Sequence, residues 1–96
     1  MKNNNEISLG DAIKEVLKRL RMEEKLEEIN LMASWEKVVG PMINRHTDNL
    51  VIRNRILYVN LDSAPLRSEL ILARSKIIAA LNKEAGREVI KDIIFR

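Results

Sequence analysis

The sequence contains one histidine, His46, in the run His46-Thr47-Asp48, and no cysteine. Metal sites need several nitrogen or sulfur ligands at defined spacing, and thiolate chemistry needs cysteine, so zinc ribbons, cysteine nucleophiles and disulfide frameworks are excluded. A lone histidine in a connector reads as structural. The next candidates are the carboxylates Glu23, Glu24, Glu27 and Glu28. Paired carboxylates do acid–base work only in a partly buried, concave setting, and four in the early turns of an amphipathic helix read as solvent-facing. Ser34 and Ser63 have no base in evident relation to them, which leaves a nucleophile reading without support. Gly10, Gly40 and Gly86 stand far apart, and neither a dinucleotide fingerprint nor a phosphate-binding loop can be written on them. The chain therefore reads as a non-enzyme, with no cofactor and no metal.

What remains is binding chemistry. Residues 1–48 carry eight Lys/Arg against nine Asp/Glu, whereas residues 49–96 carry nine against five. The formal charge of +3 thus belongs to the C-terminal half, as expected for a surface that meets nucleic acid or an acidic protein. The side chains expected to form it are Arg53, Arg55, Arg67, Arg74, Lys76, Lys83 and Arg87, together with Tyr58. Arg67 and Arg74 lie one heptad apart on the margin of a helical stripe, next to Ile71 and Ile78, which would supply apolar anchors. Tyr58 is placed on the less apolar face of a hairpin, where an aromatic ring can stack on a base. Trp35, the single tryptophan, falls within an apolar arc with Val38 and Val39 and reads as core rather than as a platform.

Certain elements have to position these residues. Met1 to Glu6 is polar and asparagine-rich, and residues 1–7 are expected to form a flexible tail. Ser8 with Asp11 three residues later resembles a capping box, and Leu9, Ala12, Ile13, Val16, Leu17 and Leu20 recur at helical spacing, which predicts a first helix from about Leu9 to Arg21. The pattern restarts at Glu23 and predicts a second helix to Val39, stopped by Gly40-Pro41. A short helical turn after Pro41 is compatible with Met42 and Ile43. Residues 49–61 alternate as a hairpin about Asn54-Arg55, with Arg53 facing Ile56, Ile52 facing Leu57, Val51 facing Tyr58 and Leu50 facing Val59. Ser63 and Pro65 open a third helix, striped by Leu66, Leu70, Ala73, Ile77 and Leu81 and reaching Asn82 or Lys83. After a turn at Ala85-Gly86-Arg87, Val89 to Arg96 reads as a closing strand. The order is ααββαβ, an α+β two-layer domain over residues 8–96 with its helices packed on one face of a three-stranded sheet. With 46% hydrophobic and 32% charged residues, the chain has the composition of one folded unit. No apolar run approaches the ~20 residues needed to cross a bilayer, and the absence of cysteine fits a cytoplasmic location.

Trp35-x-x-Val38-Val39-Gly40, then His46-Thr47, then Ile56-Leu57-Tyr58-Val59 leading to Ser63-Ala64-x-x-Arg67-x-Glu69-Leu70, then Leu81-Asn82 and Val89-x-x-x-Ile93-x-Phe95 occur in this order along the chain. This series resembles the DciA-like family from about Leu9 onward. The resemblance implies a KH-like domain from bacteria that lack an ATPase-type helicase loader, one that binds the replicative, DnaB-type helicase and assists its loading at DNA replication. Many relatives carry a basic, flexible extension, and beside them this chain looks like a minimal member. KH modules grip the phosphate backbone with a G-x-x-G loop, and no such loop occurs here.

Two functions are therefore expected. One is an adaptor docking on the replicative helicase, as a monomer or weak dimer. The alternative is a small basic module for RNA or single-stranded DNA that makes no helicase contact.

Overall fold

The computed structural model describes residues 8–96; the expected tail, residues 1–7, lies outside the described residues. The first element is a single 25-residue helix, α1 (Leu9–Ala33). The expected end of a helix at Arg21 and restart at Glu23 is corrected by this continuity. Arg21-Met22-Glu23-Glu24 holds only good helix formers and nothing to stop the chain. What changes there is the phase of the apolar stripe. At 100° per residue Leu9, Ile13, Val16 and Leu20 lie on one face of the helix, while Met22, Leu26 and Ile29 lie nearly opposite. Ser8 caps the start, its hydroxyl accepting from the Asp11 N–H at 3.1 Å.

The true break is at Ser34, whose hydroxyl donates to the Leu31 carbonyl at 2.6 Å while its own N–H bonds the same carbonyl at 3.0 Å. Two short helices follow, α2 (Trp35–Val39) and α3 (Pro41–Arg45). They are separated by Gly40 at φ 91°, ψ 164°, a conformation essentially reserved for glycine. These turns bring Trp35 inward to 1% exposure, and its indole N–H donates to Thr47 Oγ1 at 3.1 Å. Thr47 in turn donates to the Ile43 carbonyl at 2.8 Å, so the buried indole is held by a two-step chain.

Strands β1 (Thr47–Arg53) and β2 (Ile56–Leu61) form the hairpin in the expected register. Asn54 and Arg55 both have positive φ, 51° and 64°, the backbone of a two-residue turn whose twist matches the strands. The long third helix is divided, as α4 (Ala64–Leu72) and α5 (Arg74–Ala85) joined through Ala73. Ser63 caps α4, and Gly86 ends α5 in the left-handed region. Strand β3 (Asp92–Phe95) pairs in parallel with β2, giving the sheet order β1-β2-β3.

The closing strand is shorter than expected, because Val89 and Ile90 are satisfied by a side chain instead of a neighbouring strand. Asn82 Oδ1 accepts from the N–H groups of Val89 at 2.9 Å and Ile90 at 3.1 Å, and Asn82 Nδ2 donates to the Ile90 carbonyl at 2.9 Å. The core lies between the helices and one face of the sheet: Leu31, Trp35, Leu57, Val59, Leu70, Ile77, Leu81, Ile90, Ile93 and Phe95 are buried. The architecture is α+β with the helices on one face of a three-stranded mixed sheet, and the ααββαβ order holds once each broken helix is counted as one.

Candidate partner-binding surface

The division at Ala73 places Arg67 on α4 and Arg74 at the start of α5. Both guanidiniums are half-buried, because Leu70, Ile77 and Leu81 turn inward and carry the margin of the stripe down toward the sheet. Arg67 donates from Nη2 to the Leu61 carbonyl at 3.3 Å. Among the described residues neither arginine has an acidic partner within ion-pair distance, and the Nε of each is buried without an acceptor. A buried donor left unpaired costs about 1–3 kcal/mol. Both Nε atoms are enclosed by the protein, so an outside carboxylate or phosphate, the groups that guanidiniums bind in fork geometry, would have to meet the outer nitrogens of these two cations.

The apolar part of this margin is uneven. Ile71 is 43% exposed, whereas Ile78 packs against the core. Leu72, which the sequence reading did not single out, is 88% exposed. It follows Leu70 and Ile71 in an apolar run, and one helical face cannot bury three consecutive side chains. Lys76 and Lys83 are exposed on α5.

Two of the expected cations are tied within the molecule. Arg87 reaches back to α1, with Nε 3.0 Å from Glu27 Oε2 and Nη1 3.0 Å from Glu27 Oε1. Arg55 donates from Nη2 to the Glu88 carbonyl and carboxylate, each at 3.2 Å, and its own carbonyl accepts from the Lys91 N–H at 2.7 Å. These contacts span 33 to 60 residues of sequence and hold the loop before β3 to the hairpin and to α1.

The sheet face away from the helices carries Val51, Tyr58, Asn60 and Ile94. Tyr58 is half-buried, and the Arg96 guanidinium stands over its ring at 4.7 Å from the centroid. Arg96 Nε also donates to Asn60 Oδ1 at 2.8 Å, and Asn60 bonds Asn49 across the hairpin. Arg96, absent from the expected set, is thus the cation nearest this ring, whereas Arg53 is exposed at the end of β1. The structure therefore does not gather the expected residues at one place. Arg67, Arg74, Ile71 and Lys76 belong to α4 and α5, Tyr58 and Arg53 to the hairpin, and Arg55 and Arg87 to internal ties.

Val38, Val39 and Gly40, expected as core with Trp35, are only partly buried. Val38 and Val39 pack against the core from its edge. His46 lies beside Asp62, Nδ1 to Oδ1 2.8 Å, while the His46 carbonyl accepts from the Asp62 N–H at 3.0 Å. It clamps the chain entering β1 to the chain leaving β2. No group of three or more metal-ligating side chains occurs among the described residues, and no described helix is long and apolar enough to cross a membrane.

The family model described as Dna[CI] antecedent, DciA, matches residues 8–95, nearly the whole chain. No curated protein and no solved structure matches the chain.

Proposed function

The chain belongs to the DciA family, a family of DNA replication and replicative helicase loading, and we propose that it works as a non-enzymatic adaptor that docks on the DnaB-type helicase and assists its placement on DNA. The observation that carries the docking site is the pair of half-buried cations, Arg67 and Arg74, neither of which has an acidic partner among the described residues. A partner carboxylate brought to their outer nitrogens supplies the missing countercharge, and the exposed Ile71 and Leu72 between them in sequence add apolar area.

The test is binding of purified replicative helicase at about 0.15 M and about 0.5 M salt, between which the Debye length falls from ~8 Å to roughly half that. An interface with an apolar centre keeps most of its affinity across this change. Arg67→Glu with Arg74→Glu should weaken helicase binding by at least about tenfold, the size of one lost charge-assisted contact, while the fold survives. Unchanged binding by a folded double variant would remove these residues from the site.

Single-stranded nucleic acid is the second reading, supported by the exposed cations Arg53 and Arg96 on the open sheet face, where a base would stack on Tyr58 by displacing Arg96. It predicts binding that is lost at the higher salt and a log-log salt slope of roughly 0.7 per phosphate neutralised. Tyr58→Ala would then weaken oligonucleotide binding without touching helicase affinity.

A further inference from the structure

Every residue of α1 from Leu9 to Leu26 is exposed. The helix leaves the body of the molecule and projects from it, which accounts for extents of 68 × 22 × 19 Å and a radius of gyration of 18.3 Å, against the ~12–13 Å of a compact chain of this length. Along this projecting part Leu9 is 79% exposed, Ile13 50%, Val16 52%, Leu17 48% and Leu20 52%. Five large aliphatic side chains on one helical face form a contiguous patch of the kind that marks an interaction site. Helices of this length draw their stability from packing such a face.

The spacing of the stripe admits a second copy of the same segment. Leu9, Ile13, Val16 and Leu20 are separated by steps of four, three and four, which read the same in both directions. Two copies laid antiparallel about a twofold axis between Lys14 and Glu15 therefore place Leu9 against Leu20, and Ile13 against Val16, in four layers. These are the alternating layers of an antiparallel helix pair. The margins fit as well. Gly10 and Ala12 are the small residues on the two flanks of the stripe, and the twofold sets them beside Leu17 and Arg19 of the other copy, large against small.

Of the outer helix's cations, Lys14, Lys18, Arg21 and Lys25 fall on a strip turned roughly 100–160° from the stripe, and Arg19, on a flank, lies level with Gly10 of the other copy, so none meets its own copy across the seam. The helix dipoles oppose one another, which favours the pairing. The overlap runs from about Leu9 to Leu20, some 17 Å of helix axis. It ends more than a turn before Glu27 and Leu31, where α1 enters its own body, and the two bodies stand clear at opposite ends.

We propose that the projecting half of α1 is a self-association surface, occupied by the same segment of a second copy in antiparallel register. This goes beyond the adaptor reading and stands independently of it.

Sedimentation of the full chain over roughly 1–200 µM, the range in which a modest apolar interface dissociates, should show the mass rise from 11.1 kDa to twice that value. Ile13→Glu with Val16→Glu buries four carboxylates per pair and should raise the dissociation constant at least ~100-fold, with Trp35 fluorescence unchanged because both sites are remote from the core. The register is tested by mixing Ile13→Cys chains with Val16→Cys chains under oxidising conditions. Antiparallel pairing predicts that the disulfide joining unlike chains predominates over either like-with-like product. A monomer at all concentrations, a dimer that survives the double glutamate variant, or a predominant Ile13→Cys homodimer would each overturn the proposal.

Discussion

Asn82→Ala is expected to be among the most damaging single polar substitutions in this molecule. The side chain spends its oxygen on two backbone N–H groups, Val89 and Ile90, and its amide on the Ile90 carbonyl. Ile90 is fully buried and Val89 is 9% exposed, so water reaches the abandoned groups poorly. An unsatisfied buried backbone group costs about 1–3 kcal/mol. Three such groups, partly relieved by water at the Val89 side, amount to about 3 kcal/mol. Against a total stability of roughly 5–15 kcal/mol for a small domain, this is a large fraction.

The change should lower Tm by roughly 15 °C. In urea melts followed by Trp35 fluorescence it should move the midpoint down by about 2 M without altering the slope. Asn82→Asp retains the acceptor for both N–H groups but loses the donor to the Ile90 carbonyl and sets a carboxylate against it, so an intermediate loss is expected. A loss below about 0.5 kcal/mol for Asn82→Ala, the range of ordinary surface substitutions, would refute the reasoning and show that residues 89–90 find other partners.

Two other perturbations test how the helices are placed. Gly40→Ala should cost about 2 kcal/mol and Gly86→Ala about 1 kcal/mol in denaturant melts. Neither added Cβ would meet an atom within 4 Å, so the difference is purely backbone: Gly86 at φ 81°, ψ 3° is left-handed helical, whereas Gly40 at ψ 164° is in a region side chains scarcely enter; equal costs would contradict this. A double-mutant cycle on Glu27 and Arg87, whose side chains are 28% and 65% exposed, should give a coupling of about 0.5–1 kcal/mol that fades by ~1 M salt. Persistence at high salt would mean that packing, not charge, joins α1 to the loop before β3.

The hairpin, its register and its turn were legible in the sequence because strand alternation and a two-residue loop constrain each other: a slip by one residue would turn Leu57 and Val59 to the open face. The helix caps at Ser8 and Ser63 and the stop at Gly40-Pro41 were legible because they are local backbone chemistry. The extent of α1 was not. A restart of apolar periodicity looks the same whether the chain breaks or an unbroken helix carries a second, out-of-phase apolar set, and here Met22, Leu26 and Ile29 form such a set, exposed on the face opposite Glu27 and Leu31. The length of β3 was hidden for a related reason, since a β-branched run at Val89-Ile90 suits a strand but here takes its hydrogen bonds from Asn82.

The candidate site divides in the same way. Residue type and spacing singled out Arg67 and Arg74, but one helical margin for both was expected and the break at Ala73 sets them on α4 and α5; composition alone placed the basic excess in the C-terminal half. Which cations are engaged internally is a matter of distances across 33 to 60 residues of chain. Tertiary structure decided that Arg55 and Arg87 are struts, that Arg96 covers Tyr58, and that the apolar stripe of α1 faces outward. Local patterns follow from the bonding preferences of neighbouring residues, whereas charge pairing and exposure depend on which distant segment folding brings alongside.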